Sequence, residues 1–172
     1  MKNHIAFICV GSNLGNKLEN CKKGVDALIR FDSVTLKAQS LFYKTDPVDY
    51  LNQDWFINYV IKIETSLGPV DLLNRLKSIQ KDAGRIRDAI RDAIRFGPRI
   101  LDLDIILFDD AVVNSENLTI PHSRMHKRRF VLKPLCDIDP EVIHPVFKKN
   151  IKYLLDNMDD KEQRIAEYKC DY

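Results

Sequence analysis

Residues 95–108 read RFGPRILDLDIILF, with two acids set inside one of the most apolar runs of the chain. Apart from Asp102 and Asp104, residues 100–108 are isoleucine, leucine and phenylalanine throughout. Closed off by Gly97-Pro98 before it and Asp109-Asp110 after it, the run reads as a mostly buried β-strand over 100–108. Side chains alternate faces along a strand, so positions 102 and 104 point the same way, with Cα atoms about 7 Å apart. Two such carboxylates repel one another and lose hydration, which is unfavourable without a compensating cation. The plain alternative is a pair of edge-strand acids bridged to nearby arginine. The functional one is a hard cation, and magnesium suits it best because it takes oxygen ligands and is commonly completed by substrate phosphates.

Arginine is concentrated just upstream, at Arg85, Arg87, Arg91, Arg95 and Arg99. The guanidinium fork matches phosphate oxygens, so an acid pair beside these arginines points to a metal-bound polyphosphate. The duplicated RDAI within 87–95 also reads as a solvated helix, Asp88 and Asp92 pairing with Arg91 and Arg95. PHSRMHKRRF (121–130) collects His122, Arg124, His126, Lys127, Arg128 and Arg129, and both phosphate contact and a basic surface loop fit it. A zinc pair from His122 and His126 has no third ligand nearby in sequence. GSNLGNK (11–17) lacks the Walker pattern and reads as a strand-to-helix turn with an Asn cap. Trp55, Phe56, Tyr59 and Phe130 are the aromatics able to stack on a flat ring, core packing being the ordinary fate of each. Asn58 shares a strand face with Phe56, and its amide has both donors and an acceptor for a heterocycle edge.

Further strands are expected at 5–10, 34–43 and 55–65, with helices at 17–30 and, behind Gly68-Pro69, at 70–83. With 100–108 these make β-α-β-β-α-β, the ferredoxin-like split βαβ arrangement. That is an α+β fold, an antiparallel sheet with helices packed on its faces, the two helices of this unit sharing one of them. A hairpin at 111–121, a basic loop and helix at 122–137 and a closing helix at 148–158 complete a single domain over 1–172. The net charge of +2 gives no argument for nucleic acid or membrane binding, and no apolar run is long enough for a membrane span. Scattered cysteines fit reduced thiols in a soluble cytoplasmic protein, with Cys9 simply part of the core.

RFGPRILDLDII, together with GSNLG, FYKTDPV, FIN, AGRIR and TIPHSRM…RRF in that order, resembles the 6-hydroxymethyl-7,8-dihydropterin pyrophosphokinase family over nearly the whole chain. The resemblance implies transfer of pyrophosphate from ATP to the pterin hydroxymethyl group with release of AMP, in folate biosynthesis. It further implies two magnesium ions held by Asp102 and Asp104. The pterin would lie between Phe56 and Phe130, read by Asn58 and by main chain near Thr45 and Val48. Arg85, Arg99, His122 and Arg128 would meet the nucleotide, with Gln80, Arg87 and Arg95 also on that side. A lid would run over 85–98, and the protein is expected to be a monomer. The chain departs from the family at Gln80, where Glu is usual, at Phe96 and Ser123, where Trp and Tyr are common, and in the RDAI duplication. A single-stranded RNA-binding module and a ligand-binding regulatory domain are the alternatives on the same topology.

Overall fold

β1 (His4–Ser12) is the strand on which the rest is hung. It is apolar on both sides because helices cover both faces of the sheet. Ala6, Ile8 and Val10 belong to one hydrophobic cluster, Phe7 and Cys9 to the other. In the computed structural model, which describes residues 3–48, 51–84, 97–159 and 163–169, β1 pairs antiparallel with β4 (Phe56–Thr65) on one side. On its other side it pairs antiparallel with β5 (Asp102–Phe108). Beyond β4 the partner is split. β2 (Val34–Gln39) pairs with the end of β4 near Thr65, and β3 (Tyr43–Thr45) with the start near Phe56.

The expected single strand over 34–43 is thus two strands, for a local reason. Ser40 donates its N–H to the Val60 carbonyl at 2.9 Å, and its hydroxyl accepts the Val60 N–H at 2.9 Å. A side chain thereby completes the ladder where the main chain leaves it.

α1 (Lys17–Ile29) is capped by Asn16, whose side chain accepts the Glu19 N–H at 3.2 Å, as the GSNLGNK turn suggests. α2 (Pro69–Asp82) begins with proline, and its Leu72, Leu76 and Ile79 at helical spacing face the sheet. Gly24 of α1 meets the segment before β5, where an added Cβ would lie 2.6 Å from a Leu101 methyl. The second face is covered by α3 (Arg129–Ile138) and α4 (Ile151–Asp156), with Val131, Leu132, Leu135 and Ile151 against Phe7, Val60 and Ile106. α1 and α2 thus share one face, as expected of the β-α-β-β-α-β unit, and the two later helices pack on the other.

The short strands β6 (Val113–Asn114) and β7 (Thr119–Ile120) form the hairpin expected at 111–121. A 3-10 turn at Met125–Lys127 precedes α3. β8 (Ile165–Glu167), which the sequence reading did not include, adds a strand beside β3. The main sheet order is β5-β1-β4-β3-β8, with β2 also on β4. The lid expected over 85–98 falls mainly on 85–96, outside the described residues, and so do Arg85, Arg87, Arg91, Arg95 and Phe96. No described helix is long and apolar enough to cross a membrane.

Candidate active site

α3 covers the sheet only as far as Phe7, Cys9, Val60 and Ile106. Past its N-terminus the same face opens into a cleft of about 250 Å³. Its floor is one row across three strands, because Asn58 pairs with Gly11 and Gly11 with Asp102. Cys9 pairs with Asp104 one step below. The alternation read from DLDIILF thus puts both acids on the cleft side, while Leu103 and Ile105 enter the core under α1 and α2.

Around this floor the fold gathers Thr45, Val48, Phe56, Asn58, Arg99, Asp102, Asp104, His122, Arg128 and Phe130, all named from the sequence. Of the other aromatics considered, Tyr59 is buried in the core, and Trp55 lies under the Lys17 ammonium, 3.8 Å from its ring centre. Gln80 is placed elsewhere and does not line the cleft. It is 4% exposed, its Oε1 accepts the Leu103 N–H at 3.2 Å, and its Nε2 donates to the Leu76 carbonyl at 3.3 Å. It serves the unpaired side of an edge strand, a demand the sequence alone does not reveal.

Asp46, Pro47, Gln53, Gly97 and Arg124 also line the cleft and were not singled out as site residues. Asn13 was missed as well, and its role is to hold the walls. Its Nδ2 donates to Gln53 Oε1 at 2.9 Å and to the Asp54 carbonyl at 3.1 Å. Its Oδ1 accepts the Arg99 N–H at 2.7 Å, and its own N–H donates to the Arg99 carbonyl at 3.0 Å. One buried amide therefore joins the strand-to-helix turn to both the loop before Phe56 and the segment before Asp102. The polar Asn in GSNLG was the available signal.

Burial, then the Asp104 charge, push the Asp102 carboxyl up to about 7, while Arg99, Arg128 and His122 pull the other way. Burial also raises Asp104 against the pull of Arg128, Arg99 and Arg124. Arg99 Nη1 stands 4.0 Å from Asp102 Oδ1, an ion pair too long to neutralise the carboxylates. No set of three or more His, Cys, Asp or Glu ligands exists among the described residues. The donor set, two under-compensated carboxylates, fits a hard cation that draws its other oxygens from water and a phosphate ligand.

Burial and the neighbouring Arg128 and Arg124 push His122 down to about 4, leaving a neutral imidazole. Its Nδ1 accepts the Arg124 N–H at 3.2 Å, so Nε2 carries the proton and is an uncharged donor. Burial raises the Cys9 thiol, keeping it protonated and excluding it as a nucleophile at neutral pH. Asn58 Nδ2 donates to Thr45 Oγ1 at 2.7 Å, while its Oδ1 lies over Gly11, 2.5 Å from where a Cβ would stand. Only glycine leaves room for that amide.

The cleft therefore has an aromatic, amide-bearing half and an acid-and-arginine half. Residues 7–140 match the family model described as 7,8-dihydro-6-hydroxymethylpterin-pyrophosphokinase (HPPK). The chain is 41% identical over 140 residues to the 2-amino-4-hydroxy-6-hydroxymethyldihydropteridine pyrophosphokinase of Bacillus subtilis, covering 81% of each protein. It is 37% identical over 164 residues to the folic acid synthesis protein fol1 of Schizosaccharomyces pombe, covering 95% of this chain and 22% of that longer one. The crystal structure of Plasmodium falciparum HPPK-DHPS A437G is similar in fold, with a TM-score of 0.71 at 17% identity over 90% of this chain and 45% of that one. Every residue named above as lining the cleft falls within 7–140, and the chain belongs to the 7,8-dihydro-6-hydroxymethylpterin-pyrophosphokinase family.

Proposed function

We propose that this chain transfers the pyrophosphoryl group of ATP to 6-hydroxymethyl-7,8-dihydropterin, releasing AMP, as a step in folate biosynthesis. The observation that carries the proposal is the floor row of the cleft, which puts the Asn58 amide and the Asp102 carboxylate on strands flanking Gly11. A heterocycle read by Asn58 would present its hydroxymethyl arm toward the acids. The pterin oxygen forms a bond to the β-phosphorus, the bond from that phosphorus to the α-phosphate oxygen breaks, and the hydroxyl proton passes to solvent. AMP carries away the bond electrons.

Asp102 and Asp104 would hold the magnesium ions, which neutralise charge on the phosphates when bound. Arg99, Arg128 and neutral His122 are the cleft donors suited to the polyphosphate and nucleotide. They act by position and electrostatics, which is the main demand of phosphoryl transfer. Phe56 and Phe130 supply faces for the pterin, with Thr45 fixing the Asn58 amide. The strand order, with β5 and β4 flanking β1 and β2 and β3 outside β4, supports the ferredoxin-like split βαβ reading. A monomer acting in the cytoplasm belongs to the same proposal.

The test is AMP release from Mg-ATP with and without 6-hydroxymethyl-7,8-dihydropterin. Pterin-dependent AMP is expected. AMP formed equally without the pterin, or none despite binding of both ligands, would refute the assignment.

A second expectation concerns Gly11. A methyl there must displace the Asn58 carbonyl oxygen, and overpacking of this kind costs about 1–3 kcal/mol. Gly11→Ala should weaken pterin binding by about 10- to 100-fold and leave the affinity for a non-hydrolysable ATP analogue unchanged. Titration of each ligand separately checks it, and an unaltered pterin affinity would remove Asn58 from the pterin site.

A further inference from the structure

α3 starts without a side-chain cap from its own neighbouring residues, and the group that completes its first turn comes from far along the chain. Gln163 Oε1 accepts the Arg129 N–H at 2.9 Å, and Gln163 Nε2 donates to the Lys127 carbonyl at 2.8 Å. The Arg129 N–H is one of the helix-start donors that have no partner within the helix. The two bonds straddle Arg128, whose backbone is extended (φ −120°, ψ 102°) between the 3-10 turn and α3. Arg128 donates its own N–H to the Met125 carbonyl at 3.1 Å, and its carbonyl accepts the N–H groups of Val131 and Leu132 at 3.0 Å. Its backbone is thus held at every side, which matters because a guanidinium on a long flexible stem reaches a repeatable position only from a fixed root.

Gln163 is itself anchored. The Asp46 N–H donates to the Arg164 carbonyl at 3.3 Å, β8 pairs with β3, and the Tyr168 N–H donates to the Phe42 carbonyl at 2.7 Å. The Tyr168 and Trp55 rings lie 5.9 Å apart. Residues 163–168 therefore run from the Arg128 wall of the cleft to the wall bearing Thr45 and Asp46, and they lie beyond the segment matched to the family.

We propose that Gln163 is a positioning residue for Arg128, holding its guanidinium where the polyphosphate of the nucleotide lies. The inference rests on the reading that Arg128 meets the nucleotide. Without Gln163, the Lys127 carbonyl and Arg129 N–H pair with water, the 127–129 backbone keeps only the bonds of Arg128 itself to Met125, Val131 and Leu132, and charge-assisted hydrogen bonds from Arg128 lose part of their geometry.

The experiment is calorimetric titration of the full chain with magnesium and a non-hydrolysable ATP analogue, for wild type, Gln163→Ala, Arg128→Ala and the double variant. Gln163→Ala should weaken analogue binding about 5- to 10-fold while pterin affinity stays within about twofold. In the Arg128→Ala background it should change nothing further, since its effect passes through that side chain. Gln163→Met keeps the length and loses both bonds, so it should reproduce the loss even if the alanine variant folds poorly. Unchanged analogue affinity in both Gln163 variants, additive losses in the double variant, or equal weakening of both ligands would overturn the proposal. AMP release by the wild type is read in parallel. Its absence alongside the predicted coupling would sink the pyrophosphokinase reading alone, whereas normal AMP release without coupling would sink the role of Gln163 alone.

Discussion

Replacing Asp104 with asparagine should lower pterin-dependent AMP release by on the order of 10³-fold or more and yet make the ligand-free protein harder to melt above neutral pH. Both effects follow from one arrangement. Asp102 and Asp104 lie on the same face of β5, in a cleft where the Arg99 guanidinium stands 4.0 Å from Asp102 and burial still raises both carboxyls. On the proposed reading, losing one carboxylate would leave half of the charge that holds the cations, and phosphoryl transfer depends on neutralising the phosphates. The pair is also a standing strain on the fold, since burial raises both acids and the Asp104 charge raises Asp102 further.

The sign follows from linkage. A carboxyl raised from an ordinary value near 4 to about 7 destabilises the fold, because the charged form is worse accommodated there than in the unfolded chain. That penalty is absent below about pH 4, grows as the pH rises, and is complete above about pH 7. Asp104→Asn should therefore raise Tm by about 2–4 °C at pH 8, with the gain vanishing toward pH 4. Calorimetric melting at pH 4, 6 and 8 measures it. A variant that retains activity, or melts lower than wild type at pH 8, would contradict the paired-acid site.

Arg99→Ala should lower kcat/KM by about 10²- to 10³-fold, and Arg99→Lys should recover only part of the loss. Arg99 is held by its main chain, because Asn13 takes its N–H at 2.7 Å and donates to its carbonyl at 3.0 Å. The side chain is thereby aimed beside Asp102 before any ligand arrives, and a lysine at that root offers a point charge where the phosphate wants a fork. The pH profile separates this role from a merely structural one. Arg99 holds the Asp102 carboxyl down, so its removal should move the acidic limb of kcat/KM to higher pH. A limb left in place, with the whole rate lost, would instead mean that the Arg99 guanidinium acts without touching the Asp102 carboxyl, since the main-chain bonds to Asn13 survive the substitution.

Position in a fold can be legible from sequence without the contact being legible, and Gln80 shows the difference. The family resemblance placed it on the nucleotide side of α2, and in the fold its side chain turns inward to supply a partner for the Leu103 N–H. Helix periodicity says which face a residue is on and nothing about which edge strand beneath it lacks a partner. Ser40 is similar. VTLKAQSLFY looks like one strand because each residue tolerates a strand, and only the position of Val60 across the ladder makes the Ser40 hydroxyl end β2 there. Helices on both faces follow from Val131, Leu132 and Leu135 finding Phe7 and Ile106, a pairing between distant segments that no local pattern states.

The sequence by itself determined the strand that bears Asp102 and Asp104, their shared face, the Asn16 cap and the aromatic-plus-amide pattern at Phe56 and Asn58. These depend on alternation, spacing and capping chemistry within a few residues of one another. Only the tertiary structure decided that Asn13 ties two walls together, that Gly11 must lack a side chain beneath Asn58, and that Gln163 braces Arg128. Each of these is a contact between segments far apart in the chain. Its partner is chosen by the packing of the whole sheet, so the residues involved carry no local mark of their role.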